Sequence, residues 1–88
     1  MNLAFIFSGY TLEIMMTLTE AFGKTIDQIL KEKKLSKTGF AEMSHISRRH
    51  LQRIISGDTS PTLETLHIIA THLKVNPGKL ILSAYQQL

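Results

Sequence analysis

All three arginines of the chain, Arg48, Arg49 and Arg53, fall within one span of six residues. The other seven basic residues are lysines, scattered from Lys24 to Lys79. Arginine carries a planar fork of donors that pairs with two acceptors at once, on a guanine edge or a phosphate, whereas lysine offers a point charge. At about 100° per residue on a helix, Arg49, Gln52, Arg53 and Ser56 share one side. Arg48 stands at its edge and His50 beside it. Leu51, Ile54 and Ile55 form an apolar stripe opposite. A charged side alone is most often a solvated helix face. Gathering every arginine there, beside an amide and an imidazole, points instead to a surface for an anionic, hydrogen-bonding partner.

Such a helix must be positioned, and the flanking residues supply the means. Ser36 is a side-chain N-cap for a helix in which Phe40, Ala41 and Ser44 share a face. His45-Ile46-Ser47 breaks that helix. Ser47 then caps a second one, and Gly57 sits where a C′ glycine ends it. Residues 37–56 are therefore two short helices with a tight connection. Upstream, Thr17 and Glu20 have capping-box spacing. Phe22, Ile26, Ile29 and Leu30 form the stripe of that helix, and Lys31, Glu32, Lys33 and Lys34 close it. Downstream, Asp58 to Pro61 is a loop and Thr62 caps a helix with Leu63, Leu66, Ile69, Ala70 and Leu73 on one face. Asn76-Pro77 opens a last helix. Its Leu80, Ile81, Ala84, Tyr85 and Leu88 exceed what one buried face needs, so part of that surface is expected to meet a partner.

In type and spacing, Leu35-Ser36, Phe40-Ala41, Ile46-Ser47, Leu51, Ile54, Gly57, Pro61, Leu63-Glu64-Thr65-Leu66, Ala70, Leu73 and Val75 resemble the helix-turn-helix domain of the phage lambda-repressor and Cro type. The resemblance runs from about Leu18 to Leu82. It implies a mainly α, lambda-repressor-like five-helix domain over residues 17–88, with the motif at 37–56. It also implies a regulator that binds double-stranded DNA, a repressor acting as a homodimer on a pseudo-palindromic operator. On the matching positions it places Arg48, Arg49 and Arg53, with Gln52 and His50 as helpers, at base edges or adjacent phosphates. Lys37 and Ser47 match positions that hold backbone phosphate, and Ala41 matches the small residue that lets the two motif helices approach. Three residues depart from the pattern. His45 stands where Gly is usual, at a position that tends to need a positive φ. Gly39 lies inside a helix, at a cost of up to about 1 kcal/mol relative to Ala. Ile55 replaces a frequent Glu.

The 88 residues allow one domain with a modest core, and the net charge of +3 says less than the clustering does. The lack of cysteine excludes disulfides and thiolate-held zinc, which fits a reducing cytoplasm. His67 and His72 are five apart and do not form an i, i+4 metal pair, so neither metal nor cofactor is expected. An enzyme is not expected, since no Gly-rich phosphate loop or nucleophile–base constellation is present. No apolar run reaches the ~18–20 residues of a membrane span.

Residues 1–16 stand apart, with Glu13 as their one charge. Leu3 to Phe7 is apolar, Ser8-Gly9 is a turn signal, and Tyr10 to Met16 alternates with period two, which predicts a short N-terminal β segment. Such a segment suits a homodimer contact. It would equally suit another protein, as in an antitoxin that binds a toxin partner and its own operator. A gene start at Met15 or Met16 is the remaining reading.

Overall fold

Each helix among the described residues begins on a polar cap that is visible in the sequence. The computed structural model describes residues 16–88. Among these, five helices follow one another: α1 Leu18–Glu32, α2 Lys37–Ser44, α3 Arg48–Ile55, α4 Leu63–Leu73 and α5 Pro77–Gln86. The expected β segment lies outside the described residues except for Met16, which packs half-buried against the core. Thr17 and Glu20 close a complete capping box, with Glu20 N–H donating to Thr17 Oγ1 at 3.1 Å and Thr17 N–H to Glu20 Oε1 at 2.8 Å. Ser36, Ser47 and Thr62 each accept from the backbone N–H three residues on, at 2.9, 3.0 and 3.1 Å. Asn76 accepts from Gly78 N–H at 2.7 Å ahead of Pro77 at the start of α5. Each cap satisfies a donor that the helix leaves open, and losing one costs about 1 kcal/mol.

The exits are as regular as the entries. After α1, α2, α3 and α4 a single residue turns left-handed: Lys34 (φ 59°), His45 (φ 60°), Gly57 (φ 82°) and Lys74 (φ 59°). The following N–H then reaches back five residues, Leu35 to Leu30, Ile46 to Ala41, Asp58 to Arg53 and Val75 to Ala70, at 2.9 to 3.1 Å. The left-handed residue itself bonds three residues back in every case. These are Schellman closures, which satisfy the last carbonyls of a helix. In three of them the residue after the turn, Leu35, Ile46 or Val75, packs on the core and locks the exit.

Glycine adopts the left-handed conformation freely, while other residues strain by roughly 1–2 kcal/mol. Lys34 and Lys74 offset part of this strain, because a cation suits the negative end of a helix. His45 has no ammonium group to offset the strain in this way. His45→Gly is therefore expected to stabilise the fold by up to about 1 kcal/mol, less the added freedom of glycine in the unfolded chain. That raises the melting temperature by a few degrees. An unchanged or lower melting temperature in a thermal scan would show that the imidazole makes a compensating contact.

α1 packs against α5 and α3, α2 against α3 and α4, and α4 against α5. Their shared core holds Phe22, Ile26 and Leu30 of α1, Phe40 and Ala41 of α2, and Leu51 and Ile54 of α3. Ile69, Ala70 and Leu73 of α4 and Leu80 and Ala84 of α5 complete it, with Ala21 of α1 and Ile46 of the turn. Two hydroxyls enter this core with their partners: Ser44 Oγ donates to Phe40 C=O at 2.7 Å and Thr25 Oγ1 to Ala21 C=O at 2.9 Å. The end of the chain is tied down where Gln87 Nε2 donates to Gln28 Oε1 at 2.7 Å. Leu63 departs from its expected place on the buried face of α4. It is the first residue of that helix, ahead of the point where neighbours converge, and it is 83% exposed.

Candidate nucleic-acid interface

The helix that carries the arginines is held at both ends. At its start, His45 turns the chain, and buried Ile46 donates its N–H to Ala41 C=O at 3.1 Å, which anchors the turn on α2. Ser47 caps α3 directly afterwards. At its end, Gly57 donates to Ile54 C=O at 3.1 Å and Asp58 to Arg53 C=O at 2.9 Å. Between these fixed points Leu51 and Ile54 are buried and Ile55 half-buried, so rotation of α3 about its axis is settled by the core.

What remains outward is the set expected from the sequence. Arg48, Arg49, His50, Gln52 and Arg53 are all exposed, as are Ser47 at the cap and Lys37 at the first residue of α2. Ser47, Arg49, His50 and Arg53 line one hollow of about 240 Å³, together with Thr59. The hollow is smaller than the roughly 300–1,000 Å³ of small-molecule pockets. No acidic side chain lines it. Among the described residues the one ion pair is Asp27–Lys31 on α1, at 3.0 Å, so the three arginines have no carboxylate partner. Arg49 and Arg53 are four residues apart on one helix, a like-charge spacing that costs a few tenths of a kcal/mol until an anion arrives.

Gln52 and Arg48 do not line this hollow, and Lys37 lies on α2. Thr59 is the addition that the sequence reading missed. It sits two residues past Gly57, where the Schellman closure carries the chain back over the end of α3, and its own N–H points to Arg53 C=O at 3.3 Å. Among the described residues no group of three or more His, Asp or Glu side chains could hold a metal ion, and no helix is long and apolar enough to cross a membrane.

The helix-turn-helix (HTH_3) family model matches residues 26–80, from the middle of α1 into α5. The chain belongs to this helix-turn-helix family. Two solved structures share the arrangement. The clp gene regulator ClgR from C. glutamicum aligns with a TM-score of 0.78 at 20% identity, over 84% of this chain and 96% of that one. An HTH_3 family transcriptional regulator from Vibrio cholerae aligns with a TM-score of 0.71 at 25% identity, over 81% of this chain but 40% of its own. No curated protein sequence matches the chain. The matched residues include the whole of α2, α3 and α4.

Proposed function

We propose that this helix-turn-helix protein is a sequence-specific regulator of transcription that binds double-stranded DNA, and that it acts as a repressor in the form of a homodimer. The observation that carries the reading is the placement of every arginine on the exposed side of α3, with no acidic partner among the described residues. The motif's second helix enters the major groove with its N-terminal residues at base edges. On this chain Arg48, Arg49 and Arg53 take those positions at base edges or adjacent phosphates, with Gln52 and His50 as helpers, and Lys37 and Ser47 face phosphate.

A domain of this size reads few base pairs, so useful specificity calls for two copies on half-sites about 34 Å apart. Leu82, Tyr85 and Leu88, at 57–59% exposed, supply apolar surface near the end of the chain for such a contact. Selection of bound duplexes from a random DNA pool is the direct test. The expected outcome is a short consensus repeated as an inverted pair at one helical turn. A consensus without the repeat would remove the symmetric dimer, and recovery of unenriched sequence would remove specific reading altogether.

A further inference from the structure

The C-terminal end of α3 rests on α1 through two glycines. A Cβ added at buried Gly23 would lie 2.4 Å from the carbonyl oxygen of Ile54, 2.4 Å from that of Ile55 and 2.8 Å from the Ile55 carbonyl carbon. These are backbone atoms, which cannot step aside as the end of a side chain can. One turn earlier on α1, Glu20 meets Gly57 from the other direction: a Cβ on Gly57 would lie 2.8 Å from Glu20 Cγ and 3.1 Å from Glu20 Cα. Glu20 and Gly23 are three apart and share a face of α1. The last turn of α3 and its closing residue are thus seated on one short stretch of α1, backbone against backbone at Gly23 and against the base of the Glu20 side chain at Gly57.

Arg53 is the residue just before Ile54, and Arg49 lies one turn earlier. The far end of α3 is pinned by Ile46 and Ser47. Restoring ordinary contact around a methyl group at position 23 lifts the C-terminal end by about 1 Å, against the roughly 0.5 Å within which a binding constellation must be held. The lift tilts α3, about 12 Å long, and swings its arginines with it.

We propose that Gly23, far from the proposed DNA contacts in sequence, is a positioning residue for base reading: its missing side chain sets the depth and pitch at which α3 presents Arg49 and Arg53. The proposal rests on the reading of α3 as the helix that enters the groove. Phosphate contacts tolerate displacement better than bidentate base contacts, because they are charge-driven and carry no sequence information.

The test uses the full chain and compares wild type, Gly23→Ala and Arg49→Ala. Each is titrated with the selected operator and with a random-sequence duplex at one salt concentration, alongside circular dichroism and a thermal melt. Gly23→Ala is expected to keep its helices and to lose at least tenfold in operator affinity, with less than twofold change on random DNA. Sucrose, which favours the folded state, should not restore the loss. A folded Gly23→Ala with the wild-type ratio of the two affinities overturns the proposal. So does a parallel loss on both duplexes that sucrose repairs, since that is a purely structural role. If Gly23→Ala does not fold even in sucrose, Gly57→Asn decides. Asparagine tolerates the left-handed conformation while adding a Cβ against Glu20, so a reduced ratio is expected and an unchanged one overturns the proposal. Arg49→Ala separates the two ideas: if it binds the operator as wild type does, the reading of α3 itself has failed.

Discussion

Replacing Arg48 and Arg49 together with alanine is expected to abolish specific DNA binding and leave the fold untouched. Each bidentate base contact is worth about 1–3 kcal/mol, so losing two lowers operator affinity by roughly thirtyfold to twenty-thousandfold. Both side chains are exposed and neither is in an ion pair among the described residues, so the core has nothing to lose. Alanine is also the better helix former, and the substitution removes the like-charge neighbour of Arg53. Helical content and melting temperature should therefore hold or rise slightly. The single variants should differ. Arg49 lies mid-face on the hollow, and its loss should relax base preference at one position. Arg48 stands at the edge of that face, outside the hollow, and its loss should relax preference at a different base position. Gel shifts at fixed salt on the selected operator decide the matter. Unchanged affinity in the double variant would take the groove away from α3.

The parts of this structure that were legible in the sequence are those governed by local chemistry. Thr17, Ser36, Ser47, Thr62 and Asn76 announced five helix starts because a cap needs its side-chain oxygen within a few residues. The exposed arginine side of α3 was legible because Leu51 and Ile54 leave one way for the helix to face. The left-handed exits were only half legible. Gly57 showed itself and the family pattern drew attention to His45, but Lys34 and Lys74 carry no composition signal for that conformation. Their closures depend on Leu35 and Val75 finding the core, which is a tertiary event. Gly23 was illegible for the same reason. Within α1 it reads as a weak helix former, and only the approach of α3 shows that any side chain there meets backbone. Leu63 shows the converse error: helical spacing put it on the apolar face of α4, but burial at a helix end depends on what the neighbours reach.

The same local logic makes Ala41 a damaging position to charge. Ala41 lies in α2 at 2% exposure, beside buried Phe40 and one turn from buried Ser44, and its carbonyl receives the Ile46 N–H that anchors the turn. Ala41→Asp places a carboxylate in this core, where no buried cation among the described residues meets it. An uncompensated buried charge costs ~3–5 kcal/mol. A domain of about seventy residues has roughly 4–11 kcal/mol of stability in total. Loss of a cooperative melt near room temperature is therefore the expected result. The cause can be separated from steric crowding by acidification. Burial without a partner raises the folded-state carboxyl pKa above its unfolded value, so the folded state holds the proton more tightly. Between the two values stability then falls as pH rises, and the deficit of the variant should shrink as pH is lowered toward the ordinary carboxylate range. A variant that melts with wild type would put Ala41 on the surface and shift the register of α2. A deficit that ignores pH would assign the damage to the size of the side chain and not its charge.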